Sequence, residues 1–167
     1  MQLTQIYGFN PAGGNGSIYS AEKVEVMYKA GGAITVGAPV MIDVSDTTAK
    51  TVITGVTTTK TPLMVGVYEG KGGTGTATAV SGLSGNAAVT GDIILVTVHG
   101  LCSVIASPKT SSDLSTSGKA LALGTTAGQC EGYDTATAKI SNFLVSLEVG
   151  ATTAASTSVI KAYANFV

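Results

Sequence analysis

His99 is the single histidine of the chain, in Thr97-Val98-His99-Gly100, where an apolar run meets a glycine. A zinc site needs three or four His, Cys or carboxylate ligands, and a Ser–His–Asp relay needs partners that orient one another. The sequence supplies neither set, so His99 is expected to be structural or at the surface, at a turn. Glu69-Gly70-Lys71-Gly72-Gly73-Thr74-Gly75-Thr76 has the look of a phosphate loop. A P-loop, however, sets GxxxxGK[ST] between a strand and a helix. Lys71 is followed by Gly72, and Thr76–Val80 reads as strand, so Gly70–Gly75 is expected to be a loop tip. Gly118-Lys119-Ala120 fails at the same test, with Ala where the hydroxyl should stand.

The remaining candidates are weaker. Asp43 and Asp46 flank a turn, and two carboxylates fall short of an EF-hand loop. Ser84 lies in Gly82-Leu83-Ser84-Gly85-Asn86, where Asn replaces the second glycine of a nucleophile elbow. Asn15-Gly16-Ser17 matches a glycosylation sequon, but no basic and apolar leader accompanies it. No acids are paired for general acid–base work. The expectation is a protein that is not an enzyme, with no metal and no cofactor. Cys102 and Cys130 are too few for a disulfide scaffold in 167 residues, and free thiols are expected.

Charge is scarce, at 11% of residues with a net of −1. All nine basic residues are lysines. Arginine supplies the planar fork that reads phosphate bidentately, so its absence argues against a nucleic-acid partner. Mean hydropathy is positive, yet no window approaches the ~18 apolar residues of a spanning helix. Aromatics make up only 5%, with no Trp, which does not suit the girdles of a membrane barrel. A chain made in a cytoplasm, with no membrane partner, is the expectation.

Thr, Val and Gly disfavour helix, and Thr and Val favour strand. Short apolar runs bounded by Gly, Ser, Asn, Asp and Pro predict strands near Val24–Lys29, Val40–Val44, Lys50–Thr54, Leu63–Glu69, Thr76–Val80, Ile93–Val98 and Leu101–Ala106. Others follow near Ala120–Leu123, Gln129–Tyr133, Phe143–Val149 and Val159–Phe166, with one helical turn around Ser111–Ser115. The predicted fold is all-β: a compact β-barrel or sandwich-like domain, residues 23–167, with an extended N-terminal arm, residues 1–22.

That arm is rich in Gly, Asn and Pro between Gly8 and Gly16, yet carries Ile6, Tyr7, Phe9, Ile18 and Tyr19. Disordered tails normally lack such side chains. Burying all five would contribute roughly 7–15 kcal/mol gross, much of it offset by ordering. Two placements stay open: the arm folds back over its own barrel, or it docks on a sister subunit or another protein.

The domain also echoes itself. Val36-Gly37-Ala38-Pro39-Val40-Met41-Ile42 and the later Leu63–Gly70 have counterparts in Ser117-Gly118-Lys119-Ala120-Leu121-Ala122-Leu123 and Phe143–Gly150. A further strand follows each, Asp92–Val98 and Ser158–Ala164. Two similar β units packed together would make one closed barrel and remove exposed edges.

Gly31–Ile42, Met64–Gly70 and Gly91–Gly100, followed by Ser117–Leu123 and Phe143–Gly150, carry a rhythm of glycine and apolar residues. In this, residues 30–167 resemble the small head-decoration (capsid cement) proteins of tailed phages. The resemblance implies a barrel-like protein on the outer surface of an icosahedral shell, bound to the major capsid protein. It implies a homo-oligomer, a trimer before a dimer, no reaction and no cofactor. Residues 1–29 lie outside it. Another virion β module (a tail or fibre component, or a minor shell subunit) is the alternative. A carbohydrate-binding adhesin-like domain comes third, since no Trp platform is present.

Overall fold

In the computed structural model the residues described are 23–48, 50–56, 63–76, 82–108, 114–133, 144–153 and 156–166. Among them the regular elements are strands alone: β1 (Val24–Ala30), β2 (Pro39–Ile42), β3 (Thr51–Thr54), β4 (Met64–Tyr68), β5 (Ile93–Ala106), β6 (Ala120–Leu123), β7 (Cys130–Tyr133), β8 (Leu144–Ser146) and β9 (Ser158–Asn165). The protein is all-β and barrel-like, as its composition implied. Of the strand expected at Thr76–Val80 only Thr76 is described, and of the helical turn near Ser111–Ser115 only Leu114 and Ser115, so both expectations lie mostly outside the described residues.

The strands form two five-membered rings. The first runs β1-β3-β2-β4-β5 and closes through β1–β5; the second runs β5-β7-β6-β8-β9 and closes through β5–β9. β5 therefore belongs to both. Its first half pairs antiparallel with β1 and β4, and its second half antiparallel with β9. The two similar units are present, but each closes on itself instead of combining into one barrel.

The correspondence between the rings is residue by residue. In the first, Val52 pairs in parallel with Ala30 and antiparallel with Ile42; in the second, Cys130 pairs in the same two ways with Ala106 and Leu123. Gly37 N donates to Tyr68 O at 2.7 Å and Tyr68 N to Ala38 O at 3.0 Å. Gly118 N donates to Ser146 O at 2.7 Å and Ser146 N to Lys119 O at 2.9 Å. The sequence echo is thus a structural repeat, in which β5 closes one unit and opens the next.

The turn expected at His99-Gly100 does not form; Ile93–Ala106 is a single 14-residue strand. Gly100 explains how. Its φ of 94° lies where L side chains are strained, so the strand changes direction there without ending and passes from one ring to the other. The β1 ladder shifts register at Val24/Glu25. It skips Val98, whose carbonyl accepts from Phe166 N at 2.8 Å.

Alternation directs the side chains. Tyr28, Ile94, Val96 and Val98 pack inside the first ring with Val40, Val52 and Tyr68. Val104, Leu121, Leu123, Cys130, Leu144 and Ile160 pack inside the second. Met41, Met64 and Val67, on the outer face of the first ring, join that second cluster. Phe166 packs against both. The rings are therefore joined by apolar packing as well as by β5.

Candidate functional site

His99 lies at the waist between the rings, on a strand. Its Nδ1 is 3.2 Å from Asn165 Oδ1, and its Nε2 is 3.0 Å from the Tyr163 hydroxyl. Its ring stands edge-on to Tyr163 with centroids 5.3 Å apart. Both ring nitrogens are engaged in holding the end of β9, the structural role expected of this residue.

The Gly70–Gly75 loop is pinned. Thr74 N and Oγ1 donate to the Asp92 carboxylate at 2.9 and 2.8 Å, and Gly75 N donates to Ala87 O at 2.8 Å. Lys71 Nζ donates to both Glu25 oxygens at 2.9 Å. Asp43 and Asp46 cap their own turns, accepting from the amide and hydroxyl of Ser45 and of Thr48 respectively. Hydrogen bonds from the Thr48 and Thr51 side chains hold the Asp46 carboxyl well below its ordinary range. Ser84 is exposed. Among the described residues no three His, Cys, Asp or Glu come together as a metal site, and no helix is long and apolar enough to cross a membrane.

Cys102 and Cys130 are free and buried. Burial, and then the charge of Glu69, pushes the Cys102 thiol up to about 12; burial pushes Cys130 higher still. The thiolate is the reactive form. Neither cysteine is therefore expected to react with a thiol reagent at pH 7 until the protein unfolds. Labelling of the native protein within minutes would contradict this.

A charge cluster on the outer face of the waist was not legible in the sequence. Lys23 pairs with Glu69 and, at 3.3 Å, with Glu25. Glu69 accepts from Thr97 Oγ1 at 2.8 Å and from Ser103 N at 2.9 Å. Beyond it, Lys161 Nζ donates to Ser103 Oγ at 2.8 Å. Burial raises the Glu25 carboxyl, but Lys71 and Lys23 more than reverse this, leaving it below its ordinary value. Asp92 is held low by hydrogen bonds from Val89 N and from Thr74. Depressed carboxyls add stability above their unfolded values, about 3.9–4.3, and lose it as pH falls through the folded ones. Lys23 has the opposite sign. Burial lowers it, but Glu69 and Glu25 raise it further, so its contribution is lost only as pH rises through a value above about 10.4. The melting temperature is expected to drop as pH is lowered from about 5 to about 3. A flat profile over that range would refute this role for Glu25 and Asp92.

A groove of about 870 Å³ runs beside β1, lined among others by Val26, Met27, Tyr28, Asp46, Thr48, Lys50 and Ile93. Met27 is 71% exposed and Ile93 58%. The aromatic-bearing residues Ile6, Tyr7, Phe9, Ile18 and Tyr19 lie outside the described residues.

No family model and no curated protein matches this chain. Among solved structures it is similar to a chain from the capsid of Myoviridae phage XM1, with a TM-score of 0.53 and 16% identity. The match covers 96% of this chain and 100% of that one. At this identity the likeness is one of fold, and it takes in nearly all of both chains.

Proposed function

We propose that this protein is a non-enzymatic structural component of a tailed-phage virion, bound to the outer surface of the head and stabilising it. The observation that carries the reading is the match, over almost the full length of both chains, to a chain from a phage capsid. The match takes in the whole of that chain, so the likeness is not confined to one part of it. The glycine and apolar rhythm of residues 30–167, which resembles capsid cement proteins, points the same way.

The partner in this reading is the major capsid protein, contacted by a homo-oligomer, with a trimer favoured over a dimer. Several linked sites would make weak individual contacts tight. Nucleic acid is not a partner, because the chain has no arginine and its charge is slightly negative.

Purified protein added to undecorated heads tests the proposal. Saturable binding with a raised disruption temperature of the heads is expected; failure to bind at saturating excess overturns it. Assembly of the protein alone into tubes or fibres would instead favour a tail or fibre component. The arm is proposed to take part in attachment through its apolar side chains. Deleting residues 1–22 is expected to leave the β domain folded and to weaken binding to heads by tenfold or more. Unchanged affinity would remove the arm from the attachment site.

A further inference from the structure

One edge of β5 is closed by groups from outside its own ring. Alternate amides of a strand face the same way, so Ser103, Ile105 and Ser107 donate on the side where β7 lies. Ser107 N donates to Cys130 O at 2.8 Å, within the second ring. Ile105 N donates to Gly37 O and Ser103 N to Glu69 Oε1, each at 2.9 Å, and both acceptors belong to the first ring's part of the chain. Among the described residues, Ala106–Cys130 is the one residue pair joining β5 to β7. The first ring needs no such help at the corresponding place. Lys29 N and Gly31 N donate to Lys50 O at 2.9 Å and to Val52 O at 2.8 Å, both on the β3 side.

The chain entering β7 leans on the first ring as well. Gly128 N donates to Gly55 O at 2.9 Å, and a Cβ at Gly128 would stand 3.3 Å from Thr54 Cγ2 and 3.5 Å from Ala38 Cβ. The Gly37-Ala38 turn thus meets Ile105 through Gly37 and Gly128 through Ala38, as a wedge in the seam between β5 and β7. Glu69 stands at the other end of this edge. Its carboxylate also accepts from Thr97 Oγ1 at 2.8 Å and pairs with Lys23. Gly100 lies between Thr97 and Ser103, so one side chain grips β5 before and after its bend. Both thiols lie behind the seam. Cys102 precedes Ser103, Cys130 is the partner of Ala106, and both belong to the cluster inside the second ring.

We infer that the wall between β5 and β7 is a latched seam, that Glu69 is its latch, and that without the latch the seam opens while both rings stay folded. One strand pair and two hydrogen bonds to the first ring hold this edge of β5, whereas eight residue pairs join β5 to β9 on the other. Ser103 is buried. Removing the carboxylate leaves its amide without an acceptor, and a buried unpaired donor favours any opening that brings water to it. The same opening brings water to the thiols, which react once they can ionise in solvent. With Glu69 in place they stay silent until the chain unfolds. This inference stands apart from the capsid reading, since it concerns one chain in solution.

Native-state labelling of the thiols by an aromatic disulfide reagent at pH 7, followed by mass, tests it. Glu69→Ala is expected to label about tenfold faster, or more, than its measured loss of global stability accounts for. Its rate should hardly change in low urea, as for a local opening that exposes little surface. Ile94→Ala, in the core of the first ring, is the control. It is expected to label only through global unfolding, at a rate that rises steeply with urea. Glu69→Gln keeps an oxygen for Ser103 N and is expected to label no faster than its stability dictates. Glu69→Asp keeps the charge but falls one methylene short, and is expected to label fast even where the alanine variant fails to fold. Amide exchange at Ser103 and Ile105 should quicken in the fast variants, with β9 amides following global stability alone. Labelling of the alanine and aspartate variants only in step with global unfolding would overturn the latch. Equally fast labelling of Glu69→Gln would also overturn it, assigning the effect to the charge lost near Cys102.

Discussion

Gly66→Ala is expected to destabilise the protein by about 3 kcal/mol, the upper end of overpacking costs. A Cβ at position 66 would stand 2.4 Å from Thr97 O and 2.6 Å from Val96 Cγ1. The first contact is with backbone, and that backbone is fixed by the Val67–Thr97 and Tyr68–Val96 pairs of the β4–β5 ladder. Relief would require pulling β4 off β5 and opening the first ring. Gly32→Ala is the control, because a Cβ there meets nothing within 4 Å. It is expected to change stability by less than about 0.5 kcal/mol. Urea titrations of the two variants check both statements, and equal midpoints would show that the close approach at Gly66 is relieved at little cost.

Leu123→Ala is expected to cost about 2–5 kcal/mol, the range for truncating a fully buried leucine. The more discriminating expectation concerns where that loss appears. Leu123 belongs to the second ring, but its cluster contains Met41, Met64 and Val67 from the first. β5 runs through both rings without interruption. A separate melting of the second ring would strip half of β5 of its neighbours and expose that outer apolar face. One cooperative transition should therefore persist in the variant, with amide protection in β1 and in β9 falling together. Loss of protection in β9 while β1 stays protected would show that the rings unfold independently.

Much of this fold was legible from short apolar runs and the turn residues between them, because most strands, though not β5 or β8, are about as long as their runs. Val24–Ala30, Ala120–Leu123 and Cys130–Tyr133 lie within a residue of the expected positions. His99-Gly100 misled because a polar residue followed by glycine ordinarily ends a strand. Here Gly100 serves as a bend, and only the pairing of His99 with Val24 and Asn165 reveals it. The echo was visible in composition, but not that each unit closes separately, since closure depends on β5 serving twice. The ion cluster could not be read at all. Lys23, Glu25, Glu69, Lys71 and Ser103 come from three distant stretches, and only ring closure brings them side by side.

The meeting of β1 and β9 at the waist has a mechanical consequence. Val24 at the start of β1 and Asn165 at the end of β9 both lie against His99. Anything joined ahead of the first strand or behind the last would leave the molecule from nearly the same spot, midway along it. A pull between those two attachments would act across the width of a strand or two and leave both rings outside the load path. The waist is thus a single tether point, with one barrel projecting to either side.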